Sequence, residues 1–388
     1  MRKLYRDKNL QLVFGVTLMA VLGVSSIIPA LPDIMEGLSF TPATIGLTIA
    51  VFTLPGVLFA PVMGVLADRL GRKVVLVPSL FIFGGFGFAC FFAQSIPQLL
   101  ALRFCQGVGA APLGVLYGTI IGDIYEGRER GQAMGYNASV LALGTAGYPA
   151  IGGFLALLGW NWPFILPLVA IPLGLVISTT MDTPEPRITG SLRQYLSSAL
   201  AQMKSRQALC LFATTLLTFV ILYGPIITYL PILLDVRFQA SPAAIGMIFL
   251  VASGFTGVAS FQLGRLAERL GQKTLLAAAA VFYALCMLLT PNAPGLWQVI
   301  PPVICFGLAQ GLNIPTVMTM LTTIAPMEQR GAFMAANGFL LRLAQTVAPL
   351  LMGALYALFG MEAVYLGGLV CSIVILYLAL FCIRNIKS

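Results

Sequence analysis

The sequence contains no histidine and few charged residues. Of its 388 residues, none is His, and Asp, Glu, Lys and Arg together make up 9%. Without imidazole, the chain lacks the commonest metal ligand and the usual proton shuttle near neutral pH. A soluble domain carries about 25% charged residues, so this chain cannot cover a water-facing surface. The composition therefore excludes a soluble globular protein.

Catalytic and metal-binding groups are also scarce. The seven cysteines stand in or beside apolar runs at no metal-ligand spacing, and they imply no disulfide framework. No Asp or Glu lies deep within an apolar run. A membrane enzyme needs a nucleophile, a base or a metal cluster, and the sequence offers none. We therefore expect no enzymatic activity, no metal and no cofactor.

Apolar residues, in contrast, are abundant. They make up 59% of the chain, and the mean hydropathy is +0.95. Runs of about 20 apolar residues are long enough to span a bilayer as helices, which satisfy their own backbone polar groups in lipid. The sequence predicts an all-α polytopic membrane protein with twelve such spans, at residues 10–35, 43–66, 74–94, 98–121, 132–158, 162–180, 208–234, 243–266, 274–292, 296–322, 332–359 and 361–383.

The chain repeats itself at an interval of 200 residues. The stretch GVLADRLGRKVVL at 64–76 returns as GRLAERLGQKTLL at 264–276, with eight of thirteen positions identical. At the same offset, TPATIG at 41–46 answers SPAAIG at 241–246. The constant offset indicates two tandem copies of one unit, and parallel halves of this kind occur in secondary transporters.

The basic residues predict the orientation of the chain. The net charge is +9, but nineteen of the 22 Lys and Arg residues fall on one side of the predicted spans, leaving Arg103, Arg237 and Arg342. The positive-inside rule then places both termini in the cytoplasm, and no nucleic-acid partner is needed. The basic N-terminus resembles a signal peptide, but its apolar run is too long and its counterpart at 208–234 is internal.

We predict three parts along the chain. Residues 1–180 form an N-terminal bundle of six helices, 181–207 a cytoplasmic linker, and 208–388 a C-terminal bundle. In the linker, Leu192, Leu196, Ala199 and Met203 recur at helical spacing beside basic residues. This spacing is typical of an amphipathic helix on the inner leaflet, and a flexible tether is the alternative.

Three motifs together resemble the major facilitator superfamily, and the resemblance covers the whole chain. The first is the paired loop at 64–76 and 264–276. LRFCQGVGAA at 102–111 is similar to the family's fourth-helix motif, with Arg103, Gln106 and Gly107 at matching positions. GTAGYPAIGG at 144–153 is similar to the fifth-helix motif of antiporters, with Tyr148 where that motif has Gly. The resemblance implies two six-helix bundles and the twelve-helix drug:proton antiporter branch.

In the paired loop, glycines permit close approach and a tight turn. The resemblance implies that Asp68, Arg72 and Asp123 form a relay that latches a cytoplasmic gate. The alternative is a set of ordinary charges that orient the loop. The predicted gate residues are Gly64, Asp68, Arg69, Gly71, Arg72, Lys73, Asp123, Gly264, Glu268, Arg269 and Gly271.

In the fifth-helix motif, small residues allow neighbouring helices to pack closely, and proline permits a bend. Such a seam suits a rocking motion between halves, although packing alone explains the glycines equally well. The predicted motif residues are Gly144, Tyr148, Pro149, Gly152 and Gly153, with Gly147 among the small positions.

Charges within the spans are costly and are usually functional. Arg342 lies twelve residues beyond Arg330, about 18 Å along a helix and so near the midplane. We expect it to contact substrate, with pairing to helix carbonyls as the alternative.

For Arg103, the resemblance implies a part in proton movement, together with Gln106. Asp33 and Glu36 are its expected carboxylate partners. A solvated loop acid is the alternative for both, and for Glu36 it is the preferred interpretation.

The predicted function is proton-coupled export of a small amphipathic compound, neutral or anionic, across a bacterial-type inner membrane. The partners are the substrate, protons and lipid, and we expect a monomer. The alternatives are an organic anion or metabolite transporter, working in the uptake direction for instance, and a transporter-derived lipid flippase. The substrate-cavity residues proposed from the sequence are Tyr117, Tyr223, Gln310, Asn313, Asn337, Arg342 and Gln345.

Overall fold

The computed structural model describes residues 4–182, 205–326 and 330–383. Twelve long helices account for most of these residues. Their bounds are α1 Lys8–Leu38, α2 Leu47–Leu70, α3 Arg72–Phe92, α4 Ile96–Ile124, α5 Gly127–Ala156, α6 Trp162–Thr180, α7 Arg206–Phe238, α8 Pro242–Leu270, α9 Gln272–Leu289, α10 Leu296–Ile324, α11 Arg330–Phe359 and α12 Met361–Cys382. Helix α2 is bent by 55°. With this bent helix counted as one span, the described residues hold twelve helices that are long and apolar enough to cross a membrane, the number that the sequence predicts.

The first helix of each half begins and ends in the same way. The side chain of Asp7 accepts from the N–H groups of Asn9 and Leu10 ahead of α1, and Ser205 Oγ accepts from the N–H of Ala208 at the start of α7. Such caps satisfy N–H groups that have no partner within the helix. The two helices stop at residues 39 and 239, where φ is 60° and 49°. The ends of the two helices therefore match.

Between those matched ends, the two helices differ. Helix α1 tightens to a 3-10 turn at Ile28–Ala30, whereas α7 widens to a π-helix at Leu222–Tyr229. Helix α1 has 31 residues and α7 has 33. Because a π turn closes its hydrogen bonds at i+5, it holds more residues than an α turn. The π segment thus takes up the two additional residues of α7.

Contacts divide the chain into two compact units. The first holds α1 to α6 with residues 241–247, and the second holds α7 to α12 apart from those residues, with residues 42–46. In the first unit α4 packs against α2 and α3, and α1 packs against α5. In the second unit α9 packs against α10 and α12, and α7 packs against α11.

The same close contact recurs in both units. A β carbon at Gly107 of α4 would lie 2.2 Å from the carbonyl oxygen of Phe52, and one at Gly307 of α10 would lie 2.3 Å from that of Ala252. Only glycine allows the backbones to approach so closely. Most of the predicted linker, with its predicted interfacial helix, lies at 183–204, outside the described residues.

Candidate functional site

A sharp turn at Gly71 positions the charged residues between α2 and α3. The φ angle of Gly71 is 101°, a conformation that favours glycine, and its N–H donates to the carbonyl of Ala67 at 3.2 Å. Arg72 follows as the first residue of α3. Its guanidinium pairs with Asp68 and with Asp123 of α4, whose Oδ2 lies 2.8 Å from Arg72 Nε. The structure thus brings together the three predicted residues.

The two other basic residues of this loop, Lys73 and Arg69, take no part in the ion pairs of Arg72. Lys73 donates to the carbonyl of Met181 at 3.3 Å, and this bond ties the start of α3 to the residue that follows α6. The side chain of Arg69 is exposed. Gating by any of these residues stays a prediction.

The second unit repeats the turn without the same charges. Gly271 has a φ angle of 78°, and its N–H donates to the carbonyl of Ala267 at 3.0 Å. The sequence, however, places Gln272 where the first half has Arg72 and Thr323 where it has Asp123. Glu268 and Arg269 are exposed. The Arg-centred arrangement can therefore form only in the first unit.

The prediction of close approach at Gly64 is wrong. A β carbon at Gly64 or at Gly264 would meet no other heavy atom of the described residues within 4 Å. The neighbouring positions Leu66 and Leu70 are also exposed. In this loop only the glycines at the turns, Gly71 and Gly271, are required by the geometry.

Arg103 on α4 is fully buried in the first unit. Its Nη1 donates to the carbonyl of Gly23 at 2.9 Å and to Gln106 Oε1 at 2.7 Å, and its Nε donates to the carbonyl of Thr48 at 3.2 Å. The guanidinium carbon also lies 4.1 Å from the centre of the Phe52 ring, within the range of a cation–π contact.

The interruption of α1 explains why the Gly23 carbonyl is available to Arg103. In an α-helix that carbonyl would accept from the N–H of Ile27. Ile27 instead donates to the carbonyl of Val24, because the chain tightens there. The irregular backbone therefore provides an acceptor for a buried cation.

The expected pairing of Arg103 with Asp33 is wrong. Among the described residues, the contacts of Arg103 are carbonyl oxygens, an amide oxygen and aromatic rings, and no carboxylate is among them. Asp33 lies in the first turn of Leu31–Leu38, half-buried. Three neutral oxygens and a ring face lie where a carboxylate was expected. A role of either residue in proton coupling stays a prediction.

The fifth-helix motif forms close contacts within the first unit. A β carbon at Gly152 would lie 1.8 Å from the carbonyl oxygen of Ser26, and one at Gly144 would lie 2.9 Å from Leu18 Cδ2. A β carbon at Gly153 would lie 2.4 Å from the carbonyl oxygen of Pro242. Gly147, in contrast, faces open space. The remaining motif residues are Pro149, which is buried, and Tyr148, which is half-buried.

Two predicted cavity residues meet in the second unit, and a third lies one helical turn away. Gln345 Nε2 of α11 donates to the hydroxyl of Tyr223 at 2.9 Å, at the start of the π-helix. Arg342 lies one turn earlier on the same helix, three residues before Gln345. The ring of Phe219 stacks on the ring of Tyr223, with centroids 6.3 Å apart. We call Arg342, Gln345 and Tyr223 the arginine cluster.

A small cavity lies next to the arginine cluster, between α7, α10 and α11. It has room for a group about the size of a water molecule. Asn313 and Asn337, both predicted from the sequence, line it. Sequence reasoning missed the other main lining residues, which are Thr215, Thr218, Phe219 and Met318. The two threonines stand in an otherwise apolar run, and this pattern could have indicated a polar site on α7. We call this space the amide cavity.

Two of the predicted cavity residues are found elsewhere. Gln310 is 5% exposed and accepts from the hydroxyl of Tyr283 at 2.9 Å, away from the wall of the amide cavity. Tyr117 lies half-buried on α4, in the first unit. Contact of either residue with substrate stays a prediction.

The arrangement in the second unit suits binding. The arginine cluster offers a guanidinium, an amide and a phenol beside an aromatic wall, and these groups can hold an anion or an acceptor group of an amphipathic molecule. Among the described residues, no three His, Cys, Asp or Glu side chains could hold a metal ion.

The chain matches one family model over most of its length and is similar to known resistance proteins. A family model described as Major Facilitator Superfamily matches residues 13–239 and 233–387. The chain is 23% identical over 359 residues to the quinolone resistance protein NorA of Staphylococcus aureus, covering 90% of each chain. It is 25% identical over 346 residues to multidrug resistance protein 2 of Bacillus subtilis, covering 87% of this chain and 86% of the other.

Solved structures give the same fold. A bacterial homologue of the human lysosomal transporter Spinster, in an inward-facing and unoccupied conformation, aligns with a TM-score of 0.76. The sequence identity is 18%, and the alignment covers 98% of this chain and 96% of the other. The structural neighbour is described as a homologue of a transporter, and neither relative is described as an enzyme.

Proposed function

Because the chain belongs to the Major Facilitator Superfamily, a family of multi-pass membrane transporters, we propose that it exports small amphipathic compounds in exchange for protons. The compounds are neutral or anionic, and transport proceeds by alternating access. The membrane is a bacterial-type inner membrane with both chain termini in the cytoplasm, and the working form is a monomer.

One observation carries the proposed substrate class. Arg342 lies one turn of α11 before Gln345, whose amide donates to the hydroxyl of Tyr223 at 2.9 Å. A permanent cation that a bilayer-spanning helix carries near its middle is costly, and it favours an anionic or acceptor group on the bound compound. No Asp or Glu stands deep in any predicted span, so the chain offers no counterpart for a cationic drug. These features support neutral and anionic substrates.

Two observations support export and a latch on the cytoplasmic side. The relatives include a quinolone resistance protein and a multidrug resistance protein. The ion pairs of Arg72 suit a cytoplasmic latch, since they join the α2–α3 turn to α4. In this proposal Asp33, Arg103 and Gln106 serve proton coupling.

The alternative is an organic anion transporter, which would include one that works inward. Arg342 favours it as much as it favours export of anions. Tyr148, in place of the motif's glycine, favours a departure from antiport. The direction of transport separates the two proposals.

The test uses purified protein in liposomes that hold a pH-sensitive dye. A panel of neutral, cationic and anionic amphiphiles is added, and compound flux and proton flux are measured under gradients of either sign. We expect neutral and anionic compounds to move against protons, with the flux lost in Arg342→Ala and the coupling lost in Asp33→Asn.

Arg237→Ala is the matched control, because Arg237 lies on the same unit but donates to the carbonyl of Pro291. It should transport as wild type does. Movement of cationic compounds alone, unchanged in Arg342→Ala, would contradict the substrate class. Flux without proton movement would contradict antiport, and flux in the same direction as protons would favour uptake.

A further inference from the structure

The two halves of the chain provide an internal comparison for the amide cavity. In the first unit the hydroxyl of Thr17 donates to Asn137 Oδ1 at 2.7 Å, and in the second the hydroxyl of Thr215 donates to Asn337 Oδ1 at 2.7 Å. The bond thus recurs at the same place in each repeat. A contact that both units keep serves their common architecture.

The second unit adds polar groups that the first unit lacks. The pairing of Thr17 with Thr215 sets the correspondence of α1 with α7 at 198 residues before the π-helix, and α4 corresponds with α10 at 200. By these offsets Thr218 replaces Ala20, and Asn313 replaces Leu113. Since the first unit packs with two apolar residues there, the fold does not need the polar pair.

The amide of Asn313 is only half used. Its Nδ2 donates to the hydroxyl oxygen of Thr218, while its Oδ1 is buried and has no hydrogen-bond partner among the described residues. Asn313 itself is 0% exposed. A buried acceptor without a donor is costly, so each such atom calls for an explanation such as a bound group. Here the atom belongs to a residue that lines a cavity of the size of one hydroxyl group.

We propose that the amide cavity receives a neutral hydrogen-bond donor, a hydroxyl or N–H group, of the transported compound, which donates to Asn313 Oδ1. The cavity lining has no charged side chain, so it suits an uncharged group. This inference rests on the proposed function and narrows its substrate class. The compound carries an anionic or acceptor group for the arginine cluster at one end and a donor at the other.

The position of the two sites limits the size of the compound. Tyr223 follows Thr218 by five residues on α7, a rise of about 7.5 Å. Phe219 lines the cavity and stacks on Tyr223, so an aromatic wall joins the two sites. A bicyclic aromatic acid with a hydroxyl group on the far ring meets these requirements.

The experiment compares two probes that differ in one group. A fluorescent hydroxynaphthoate donates a hydrogen bond through its hydroxyl, and the methoxynaphthoate of the same substitution pattern cannot. Equilibrium binding to the purified full chain is measured by fluorescence, and uptake is measured in liposomes. We expect wild type to bind the hydroxynaphthoate about threefold to tenfold more tightly, the range expected for one hydrogen bond.

Asn313→Leu installs the residue of the first unit, and we expect it to bind both probes equally. Thr316→Val is the matched control, because Thr316 lies on the same helix and bonds to the carbonyl of Leu312. It should keep the preference of wild type. Unfolding midpoints verify that both variants fold.

Three outcomes would overturn the inference. The first is equal binding of both probes by wild type, and the second is an undiminished preference in Asn313→Leu. In both cases, uptake of the two probes in liposomes would leave the proposed function standing. The third is failure of wild type to bind or carry either probe while it transports cationic compounds, which would overturn the proposed substrate class as well.

Discussion

In the first unit, Gly152 of α5 packs directly against the carbonyl oxygen of Ser26 in α1. A β carbon at position 152 would lie 1.8 Å from that oxygen. At the matching place in the second unit, the small residue is on the other helix. A β carbon at Gly224 of α7 would lie 2.6 Å from Met352 Cγ of α11. Each unit therefore uses one glycine where these two helices meet, but on opposite partners.

Gly152→Ala should destabilise the protein. The obstacle is a backbone oxygen, which cannot turn aside as a side chain does, so α1 and α5 must move apart. Overpacking of this kind costs about 1–3 kcal/mol. We expect the midpoint of thermal unfolding in detergent to fall by several degrees. Gly147→Ala is the control, since a β carbon there meets no atom within 4 Å in the part of the chain that the structure describes. Equal midpoints for the two variants would refute the argument.

The repeat explains how much of the fold could be predicted. Apolar length predicts the spans, and the pairs Gly71 with Gly271 and Gly107 with Gly307 recur in the structure at the offset seen in the sequence. The loss of ion pairs in the second unit could also be predicted, because Gln272 is neutral. These features depend on local sequence, which the repeat makes visible.

The features that were missed depend on irregular backbone. The two additional residues of α7 sit inside an apolar run, where hydropathy does not reveal a π-helix. The acceptors around Arg103 are backbone carbonyls, and one of them is free only because α1 tightens. Sequence reasoning looked for a carboxylate and chose Asp33. Likewise, Thr218 contributes to a cavity that only tertiary packing creates.

Arg72→Gln should separate gating from stability. It gives the first unit the neutral residue of the second and removes both ion pairs. The side chain of Asp68 is 55% exposed, and exposed ion pairs contribute only about 0–1 kcal/mol. We therefore expect the unfolding midpoint to change little. If the trio latches a gate, transport in liposomes should fall severalfold.

Arg69→Gln is the control for this prediction, because Arg69 is exposed and removal of its charge alters the loop by the same amount. It should transport at the rate of wild type. A normal rate in Arg72→Gln would show that the trio orients the loop and does not gate. A large fall in its unfolding midpoint would show a structural role.

Tyr223→Phe tests the arginine cluster. The variant keeps the ring that stacks on Phe219 but removes the hydroxyl that accepts from Gln345. Without that bond the amide of Gln345 is no longer held beside Arg342. We expect KM for anionic compounds to rise about threefold to tenfold, the effect of one hydrogen bond, with little change in kcat. Tyr377→Phe, on the exposed face of α12, should leave KM unchanged.

Arg103→Lys asks whether Arg103 acts through its charge or through its shape. Lysine keeps the positive charge but cannot reproduce a planar fork that bonds the carbonyls of Gly23 and Thr48 and the side chain of Gln106. Each buried acceptor left without a donor costs about 1–3 kcal/mol. Because the contacts of Arg103 in the described residues are held by that planar fork, we expect the protein to need the shape of this side chain for stability as well as its charge for proton coupling. The unfolding midpoint should fall clearly, and proton flux and compound flux should fall together.

Asp33→Asn is the comparison, since Asp33 lies outside the contacts of Arg103 and its variant should unfold near the wild-type midpoint. If Arg103 serves only as a charge, Arg103→Lys will keep both the midpoint and the coupling of wild type, and the structural account is then refuted.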